Sequence, residues 1–259
     1  ALYFKSSADK GNAKAQLNIG MMHAEGKYAP KNDREAVRYF MMSASQGNPK
    51  AQLNMGLMWM NGRGVRRNEN EAMKYYKMAA DQGDPQAMYN LGIMMSKGRG
   101  NMRNDSVAAR YFKKAADSGL VKAMFSMGLA LLEGKGVPQN QGEASHYFKI
   151  AADNGMPSAQ LNMSILLSKG LGVAKNDFEA VQYLKQAADN DEPEAQFLIG
   201  MLFLTGKGPI KHNLDLAAKY LGDAAANGNT KAMVNIGMMF LIGKGVKQND
   251  ATAAKCFQV

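Results

Sequence analysis

The stretch GKGVPQNQGEA, residues 134–144, places two glycines around a lysine and follows them with a polar run and the start of a helical pattern. Such a stretch could bind phosphate, but it recurs as GRGVRRNENEA (62–72), GLGVAKNDFEA (170–180) and GKGVKQNDATA (243–253). A phosphate-binding loop would also follow a strand and carry a longer glycine signature. The repetition therefore indicates a connection between repeated units rather than one ligand site.

The first glycine of this stretch recurs every 36 residues, with one final step of 37, which is the signature of a repeat protein. Its positions are Gly26, Gly62, Gly98, Gly134, Gly170, Gly206 and Gly243. The extra residue falls within the loop sequence GPIKHNLDLA (208–217), where an insertion is tolerated. Seven registers keep the same phase, so the repeat decides the fold.

Each period contains two helical patterns. Helix A, such as AMYNLGIMMSKG (87–98), has about twelve residues of mostly helix-favouring types and ends at a glycine. Helix B, such as NENEAMKYYKMAADQG (68–83), follows an asparagine or aspartate that can cap it, and places small and aromatic residues on one face. A two-helix unit cannot bury its own apolar face, so neighbouring units must stack.

The sequence therefore predicts an all-α fold, a right-handed α/α superhelix or solenoid of two-helix repeats. We expect a single solenoid over residues 1–259, with residues 1–11 forming the trailing helix of a truncated repeat. The expected repeats are 12–47, 48–83, 84–119, 120–155, 156–191, 192–228 and 229–259, the last one truncated.

A glycine also stands in the middle of helix A in six of the seven periods, as at Gly56. It costs a helix about 1 kcal/mol relative to alanine. We therefore expect a close backbone approach between helices at this position, where Ser164 replaces the glycine in one repeat.

The recurring phrase A-x3-L-G, G-x-G-V, a cap residue and A-x2-Y-Y/F-x2-A-A resembles the Sel-1-like repeat family, a longer-looped relative of the tetratricopeptide repeat. Tyr28 in place of the second loop glycine, Asp191 in place of the terminal glycine, and Ser164 are departures. The resemblance implies an α-solenoid that serves as a protein-binding adaptor. Family roles include bacterial host interaction and immunity proteins, which favours a periplasmic or secreted location, although no signal peptide is visible in the chain.

Chemistry-bearing residues are sparse. His23, His146 and His212 fall in three different repeats without a carboxylate or cysteine at metal-ligand spacing, and Cys256 has no histidine partner. The sequence predicts no catalytic residues, no metal site, no cofactor and, because no apolar run reaches 18 residues, no transmembrane segment.

The loops after helix A are basic. Between the first glycine and the cap residue they hold thirteen lysines and arginines and no acid, in a chain of net charge +10. Candidate partner-binding residues on this loop edge are Arg63, Arg66, Arg67, Arg99, Arg103 and Lys135. The edge could keep the protein soluble, attract an acidic protein, or bind a polyanion. Nucleic acid is disfavoured because no aromatic residues interleave with the bases.

Helix A offers a second surface, because it is apolar on nearly its whole circumference. Counted at 100° per residue, the positions two, six and nine after its first alanine face away from the main core. They are either buried by the neighbouring repeat or form a concave groove together with a stripe of asparagines. Candidate groove residues are Leu53, Asn54, Leu57, Met60, Tyr89, Asn90, Ile93, Phe125, Leu129, Leu161, Asn162, Phe197 and Met201.

Together these features predict a non-enzymatic scaffold that binds another protein through the groove, with an acidic protein as one candidate partner and a bacterial immunity or host-interaction role. The alternative is binding of a nucleic acid or anionic surface through the basic loop edge. The sequence does not predict an oligomeric state.

Overall fold

The computed structural model describes residues 2–100 and 103–258, and predictions for residues 1, 101, 102 and 259 lie outside them. This described part of the chain forms helices and no strand. In chain order the helices are α1 (Leu2–Asp9), α2 (Ala13–Glu25), α3 (Asp33–Ser45), α4 (Pro49–Asn61), α5 (Glu69–Asp81), α6 (Pro85–Lys97), α7 (Asp105–Asp117), α8 (Val121–Glu133), α9 (Gln141–Asp153), α10 (Pro157–Lys169), α11 (Asp177–Asp189), α12 (Pro193–Thr205), α13 (Leu214–Ala226), α14 (Thr230–Ile242) and α15 (Asp250–Cys256).

The predicted all-α fold of two-helix repeats is confirmed. The even-numbered helices follow the helix A pattern, and the odd-numbered helices follow the helix B pattern. The stretch 62–72 shows how the sequence sets their ends. Gly62 ends α4 in the left-handed region at φ 67°, and the side chain of Asn68 accepts hydrogen bonds from the N–H groups of Asn70 and Glu71 at the start of α5. A side-chain cap of this kind stabilises a helix by about 1 kcal/mol.

The chain divides into two compact units, unit 1 up to Pro138 and unit 2 from Gln139. Each unit is a stack of helix pairs with its own core. In unit 1, Tyr76, Leu91 and Met94 of α5 and α6 pack in one fully buried cluster. In unit 2, Leu184 and Ile199 of α11 and α12 occupy the corresponding place.

The glycine in the middle of helix A makes room for a ring. A β-carbon at Gly56 would lie 2.4 Å from two ring carbons of Tyr76 on α5, and Gly20 and Gly92 face Phe40 and Phe112 in the same way. The close approach expected from the sequence is therefore present, but the helix backbone meets an aromatic side chain rather than another backbone.

The repeat that lacks this glycine also lacks the ring. Ser164 of α10 stands where the other repeats have glycine, and Leu184 of α11 stands where unit 1 has Phe40, Tyr76 and Phe112. A leucine fills less space than a phenylalanine or tyrosine, so the added Cβ and hydroxyl of Ser164 are accommodated. Both residues remain buried.

The second loop glycine packs against the first residues of the preceding helix B. A β-carbon at Gly136 would lie 2.1 Å from the carbonyl oxygen of Asp105, so that only glycine fits. Two loops depart from this arrangement. Tyr28 adopts φ 64° but is 85% exposed, and a β-carbon at Gly208 would meet no atom within 4 Å. The loop with the extra residue therefore does not cover the start of α11.

Buried glutamines join successive repeats. Gln52 is 2% exposed, its Nε2 donates to the carbonyl oxygen of Ala44 at the end of α3, and its Oε1 accepts a hydrogen bond from Gln82 at 2.7 Å. The equivalent glutamines donate to the carbonyls of the preceding helix B in the same way; they are Gln16, Gln160 and Gln196. Each of these carbonyl oxygens also accepts a backbone N–H bond from the turn that follows the helix, as Ala44 does from Gly47, so the glutamine supplies a second hydrogen bond.

Candidate protein-binding clefts

Unit 1 contains an open cleft of about 370 Å³ between α6, α7 and α8, here called the unit-1 cleft. Its lining combines apolar side chains with a charged rim. The residues are Ile93, Ser96, Arg103, Asp105, Ala108, Ala109, Phe112, Ser126, Leu129, Ala130, Glu133 and Lys135. The cleft thus brings Ile93 and Leu129 from the predicted groove together with Arg103 and Lys135 from the predicted basic edge.

Unit 2 contains a larger open cleft of about 490 Å³ between α10, α11 and α12, here called the unit-2 cleft. The residues are Ser164, Ile165, Ser168, Asp177, Ala180, Val181, Leu184, Leu198, Met201, Leu202, Thr205, Lys207, Gly208 and Pro209. Of the predicted groove residues it contains Met201. The two clefts occupy equivalent registers, because Ile93 and Ile165, like Lys135 and Lys207, are 72 residues apart.

The charges of the unit-1 cleft are paired. Arg103 donates through Nε to Oδ1 of Asp105 at 3.0 Å and through Nη2 to Oδ2 at 2.7 Å, and these bonds lower the pKa of that carboxyl group. Lys135 forms an ion pair with Glu133. The rim is therefore polar but locally neutral.

The unit-2 cleft is more apolar and carries a cation without an ion pair. Leu198 and Leu202 replace Ser126 and Ala130 of the unit-1 cleft. Thr205, at the position of Glu133, donates its hydroxyl to the carbonyl oxygen of Met201. As a result, Lys207 forms no ion pair with any acid in the described part of the chain.

Ion pairs also change the predicted basic loop edge. Arg63 donates to both carboxylate oxygens of Asp33 and to the carbonyl oxygen of Ala24, and Arg67 forms an ion pair with Glu69 at 2.5 Å. Asp33 and Glu69 lie in helix B. The count of charged residues in the loops therefore did not include these two acids.

Two of the six candidate bases differ from the rest. Arg66 and Arg99 are exposed and form no ion pair with an acid among the described residues, whereas Arg63, Arg67, Arg103 and Lys135 are paired. The edge is thus a row of ion pairs with a few unpaired cations.

The predicted groove residues are mostly half-buried. Leu57 is exposed at 37%, and Leu53 and Met60 pack against the core cluster of α5 and α6. Tyr89 lies 5.8 Å from the Phe112 ring, centroid to centroid. Half-burial leaves part of these side chains accessible, and their membership in one concave groove stays a prediction.

The other aromatic and asparagine candidates have local partners. The ring of Phe197 has the ammonium of Lys231 5.8 Å from its centroid, and Phe125 is half-buried. Asn162 donates to the carbonyl oxygen of Ser158 at 2.7 Å, and Asn90 accepts a hydrogen bond from Gln86 at 3.1 Å. Asn54 is also half-buried.

Leu161 is a correction to the groove prediction. It is 9% exposed and belongs to the core cluster around Leu184 and Ile199, because the following repeat covers its face of α10. Its side chain is therefore not available to a partner.

Neither a metal centre nor a membrane span stands out. In residues 2–100 and 103–258, no group of three or more histidine, cysteine, aspartate or glutamate side chains could hold a metal ion. Over the same residues, no helix combines the length and hydrophobicity that crossing a bilayer requires.

A model of the Sel1 repeat matches residues 13–48, 49–84, 85–120, 121–156, 157–192, 193–229 and 230–258. The chain belongs to the Sel1 repeat family. These repeats begin one residue after the limits drawn from the periodicity. Sel1 repeats build α-solenoids that typically serve as scaffolds for protein–protein interaction, and proteins of this kind are generally non-enzymatic.

Solved structures agree with this assignment. A Sel1 repeat protein from Oxalobacter formigenes superimposes with a TM-score of 0.84 at 34% identity, over 98% of this chain and 73% of its own. A protective antigen of uropathogenic Escherichia coli with an SLR fold gives a TM-score of 0.77 at 28% identity, over 98% of this chain and 62% of its own.

An immunity protein of Pseudomonas aeruginosa shares the fold, with a TM-score of 0.53 at 20% identity. The match covers 83% of the present chain and 81% of the immunity protein. No curated protein sequence matched.

Sequence reasoning missed several cleft residues. The sequence did not single out Asp105, Glu133, Leu184 or Leu198 as candidates. The available signal was Ser164 for glycine and Leu184 for an aromatic residue in one repeat, followed by one inserted loop residue in the next repeat.

Proposed function

We propose that this Sel1 repeat protein is a non-enzymatic scaffold that binds another protein through the unit-1 and unit-2 clefts. The observation that carries the proposal is the presence, in each unit, of an open cleft at the same register of the repeat. A structural irregularity would occur once, whereas an equivalent cleft in each unit suits a repeated binding surface.

The chemistry of both clefts suits a protein partner. Half-buried Ile93 and Leu129 in unit 1, and Ile165 and Met201 in unit 2, can contribute apolar contact area that a partner desolvates. Polar groups at each rim can fix the orientation of the bound segment. Methionine adapts its shape to different partners because its side chain is unbranched and flexible.

The pairing of the loop bases favours this proposal over polyanion binding. A lysine or arginine that already bonds a carboxylate has less net charge to offer a phosphate backbone, and four of the six candidate bases are paired in this way. Arg66 and Arg99 are left to attract an acidic protein surface.

More specifically, we propose a bacterial immunity or host-interaction role for this scaffold. It is supported by the range of roles in the family that the sequence resembles. An immunity protein would bind one secreted toxin tightly and occlude its active site. A host-interaction scaffold would bind a protein of the host cell.

Site-specific photo-crosslinking tests the proposal. A photoreactive residue is placed at Leu129 in the unit-1 cleft, at Met201 in the unit-2 cleft, and, as a control, at Lys185 on the exposed side of α11. We expect one protein to be captured from the native cells at a cleft position and not at Lys185, and to bind again when both proteins are purified. Capture at Lys185 alone, or of nucleic acid only, would refute it.

A further inference from the structure

The unit-2 cleft results from three departures from the repeat pattern that meet at one place. Leu184 replaces the aromatic residue, Ser164 replaces the glycine, and the inserted residue in loop 206–213 leaves Gly208 away from the start of α11. Leu184 removes ring volume and the insertion displaces the loop, whereas Ser164 adds a β-carbon and a hydroxyl group to the wall. The result is a cleft of about 490 Å³ instead of about 370 Å³.

One wall of the cleft carries a hydroxyl group without a protein partner. Ser164 is 5% exposed, lines the cleft, and forms no hydrogen bond with another described residue. Ser168 and Thr205, which also line this cleft, instead donate to carbonyl oxygens of their own helices. An unpaired hydroxyl at the apolar wall can form a hydrogen bond with a ligand that enters.

The mouth of the cleft is cationic. Lys207 lines it and forms no ion pair within the described residues, whereas Asp177, which also lines the cleft, is paired with Lys175 at 3.4 Å. A carboxylate placed beside the mouth would therefore meet an uncompensated positive charge.

We infer that the unit-2 cleft binds a segment of a protein partner that carries a large apolar side chain flanked by acidic residues. The inference rests on the proposed function and names the partner chemistry for one of its two clefts. The apolar side chain packs on Ile165, Leu198 and Met201, a polar group of the segment pairs with the Ser164 hydroxyl, and the flanking carboxylate lies at Lys207. The open mouth suits a side chain on a continuous peptide better than an enclosed lipid.

Short peptides test this chemistry directly. The probe is acetyl-Gly-Asp-Trp-Asp-Gly-amide, with acetyl-Gly-Lys-Trp-Lys-Gly-amide, acetyl-Gly-Asp-Ala-Asp-Gly-amide and decanoate as comparisons. Binding to the full chain is followed by the methyl signal of Met201, assigned by the Met201→Leu variant. We expect a saturable shift with the acidic tryptophan peptide, and at least tenfold weaker binding of the lysine and alanine peptides.

Two variants take their residues from other repeats of this chain, so both should fold. Thr205→Glu recreates the Glu133–Lys135 arrangement, neutralises Lys207, and should weaken binding of the acidic peptide at least tenfold. The double variant Ser164→Gly/Leu184→Phe restores the glycine–ring pair, removes the free hydroxyl and narrows the cleft. It should weaken binding at least fivefold, with the circular dichroism spectrum unchanged.

Equal binding of the lysine peptide, an unaffected Thr205→Glu variant, binding of decanoate without any peptide, or no binding of any probe would each overturn the inference. A partner that still crosslinks at Leu129 would then leave the proposed function standing. Loss of crosslinking at both clefts would instead refute the proposed function itself.

Discussion

The substitution Gly56→Ala tests whether the glycine in helix A is there to admit the Tyr76 ring. The new β-carbon would lie 2.4 Å from Cδ1 and Cε1 of a ring that is only 2% exposed, whereas ordinary contacts are near 3.5 Å or longer. The ring must move by about 1 Å in a filled core, and such overpacking costs about 1–3 kcal/mol. Alanine recovers about 1 kcal/mol of helix propensity. We therefore expect a net loss of about 1 kcal/mol of unfolding free energy.

A matched control is available at Gly222 in the middle of α13, where a β-carbon would meet no atom within 4 Å. Gly222→Ala should gain the helix propensity without the clash and stabilise the protein by about 1 kcal/mol. Urea unfolding followed by circular dichroism, supported by thermal melts, should move the two variants in opposite directions, about 2 kcal/mol apart. Equal gains in both variants would refute the ring-accommodation argument.

A double-mutant cycle separates the ring from other effects. Gly56→Ser should be less costly in the Tyr76→Leu background than in the native one, because that pair reproduces Ser164 and Leu184. The coupling between contacting residues should be about 1–2 kcal/mol. A serine that costs the same in both backgrounds would show that the two positions do not interact.

Three further predictions concern single residues. Arg63→Ala should lower the unfolding free energy by about 1 kcal/mol, because Arg63 bonds both Asp33 and the carbonyl oxygen of Ala24. The control Arg66→Ala, at an exposed residue, should leave the unfolding free energy unchanged. Equal effects of the two variants in urea unfolding would contradict this prediction. The Arg63 hydrogen bond lowers the pKa of Asp33, so the unfolded chain binds the proton first as pH falls, and the stabilisation present above about pH 4 is lost below it. Asp33→Asn should therefore destabilise the protein at pH 7 and flatten the loss of stability between about pH 4 and pH 2, and an unchanged slope would exclude this role. Tyr28→Gly should raise the unfolding free energy by about 0.5 kcal/mol, because φ is 64° in an 85% exposed residue, and a lower melting temperature would contradict it.

The helices and their limits could be predicted from the sequence because they depend on local signals. Asn68 caps α5 and Gly62 ends α4 through local interactions. The 36-residue period then gives the positions of the corresponding residues in the other repeats. The glycine in the middle of helix A also predicted a close contact with a neighbouring helix. The identity of that contact depended on which side chain of helix B points at it, which spacing alone does not specify.

The features that the sequence did not predict arise between repeats. Gln52 has a polar side chain of the kind usually found at the surface, and it is buried only because the end of α3 packs against it. Asp33 was not singled out by the sequence, because its bond to Arg63 forms only when two repeats stack. For the same reason Leu161 was placed on a free surface although the next repeat covers it. The clefts combine loop and helix residues that the sequence suggested as two separate surfaces.

The joints between repeats differ in kind, and this has a mechanical consequence. Where Gln16, Gln52, Gln160 and Gln196 bond a carbonyl of the preceding helix B, the bond is directional and resists rotation of one repeat on the next. The equivalent positions in α6, α8 and α14 are Met88, Met124 and Met233, which pack without such a bond. We therefore expect the α5–α6, α7–α8 and α13–α14 joints to be the most compliant to twist, so that amide hydrogen exchange is faster there. The unit-1 cleft, built from α6, α7 and α8, would then adjust its width to a partner at little cost.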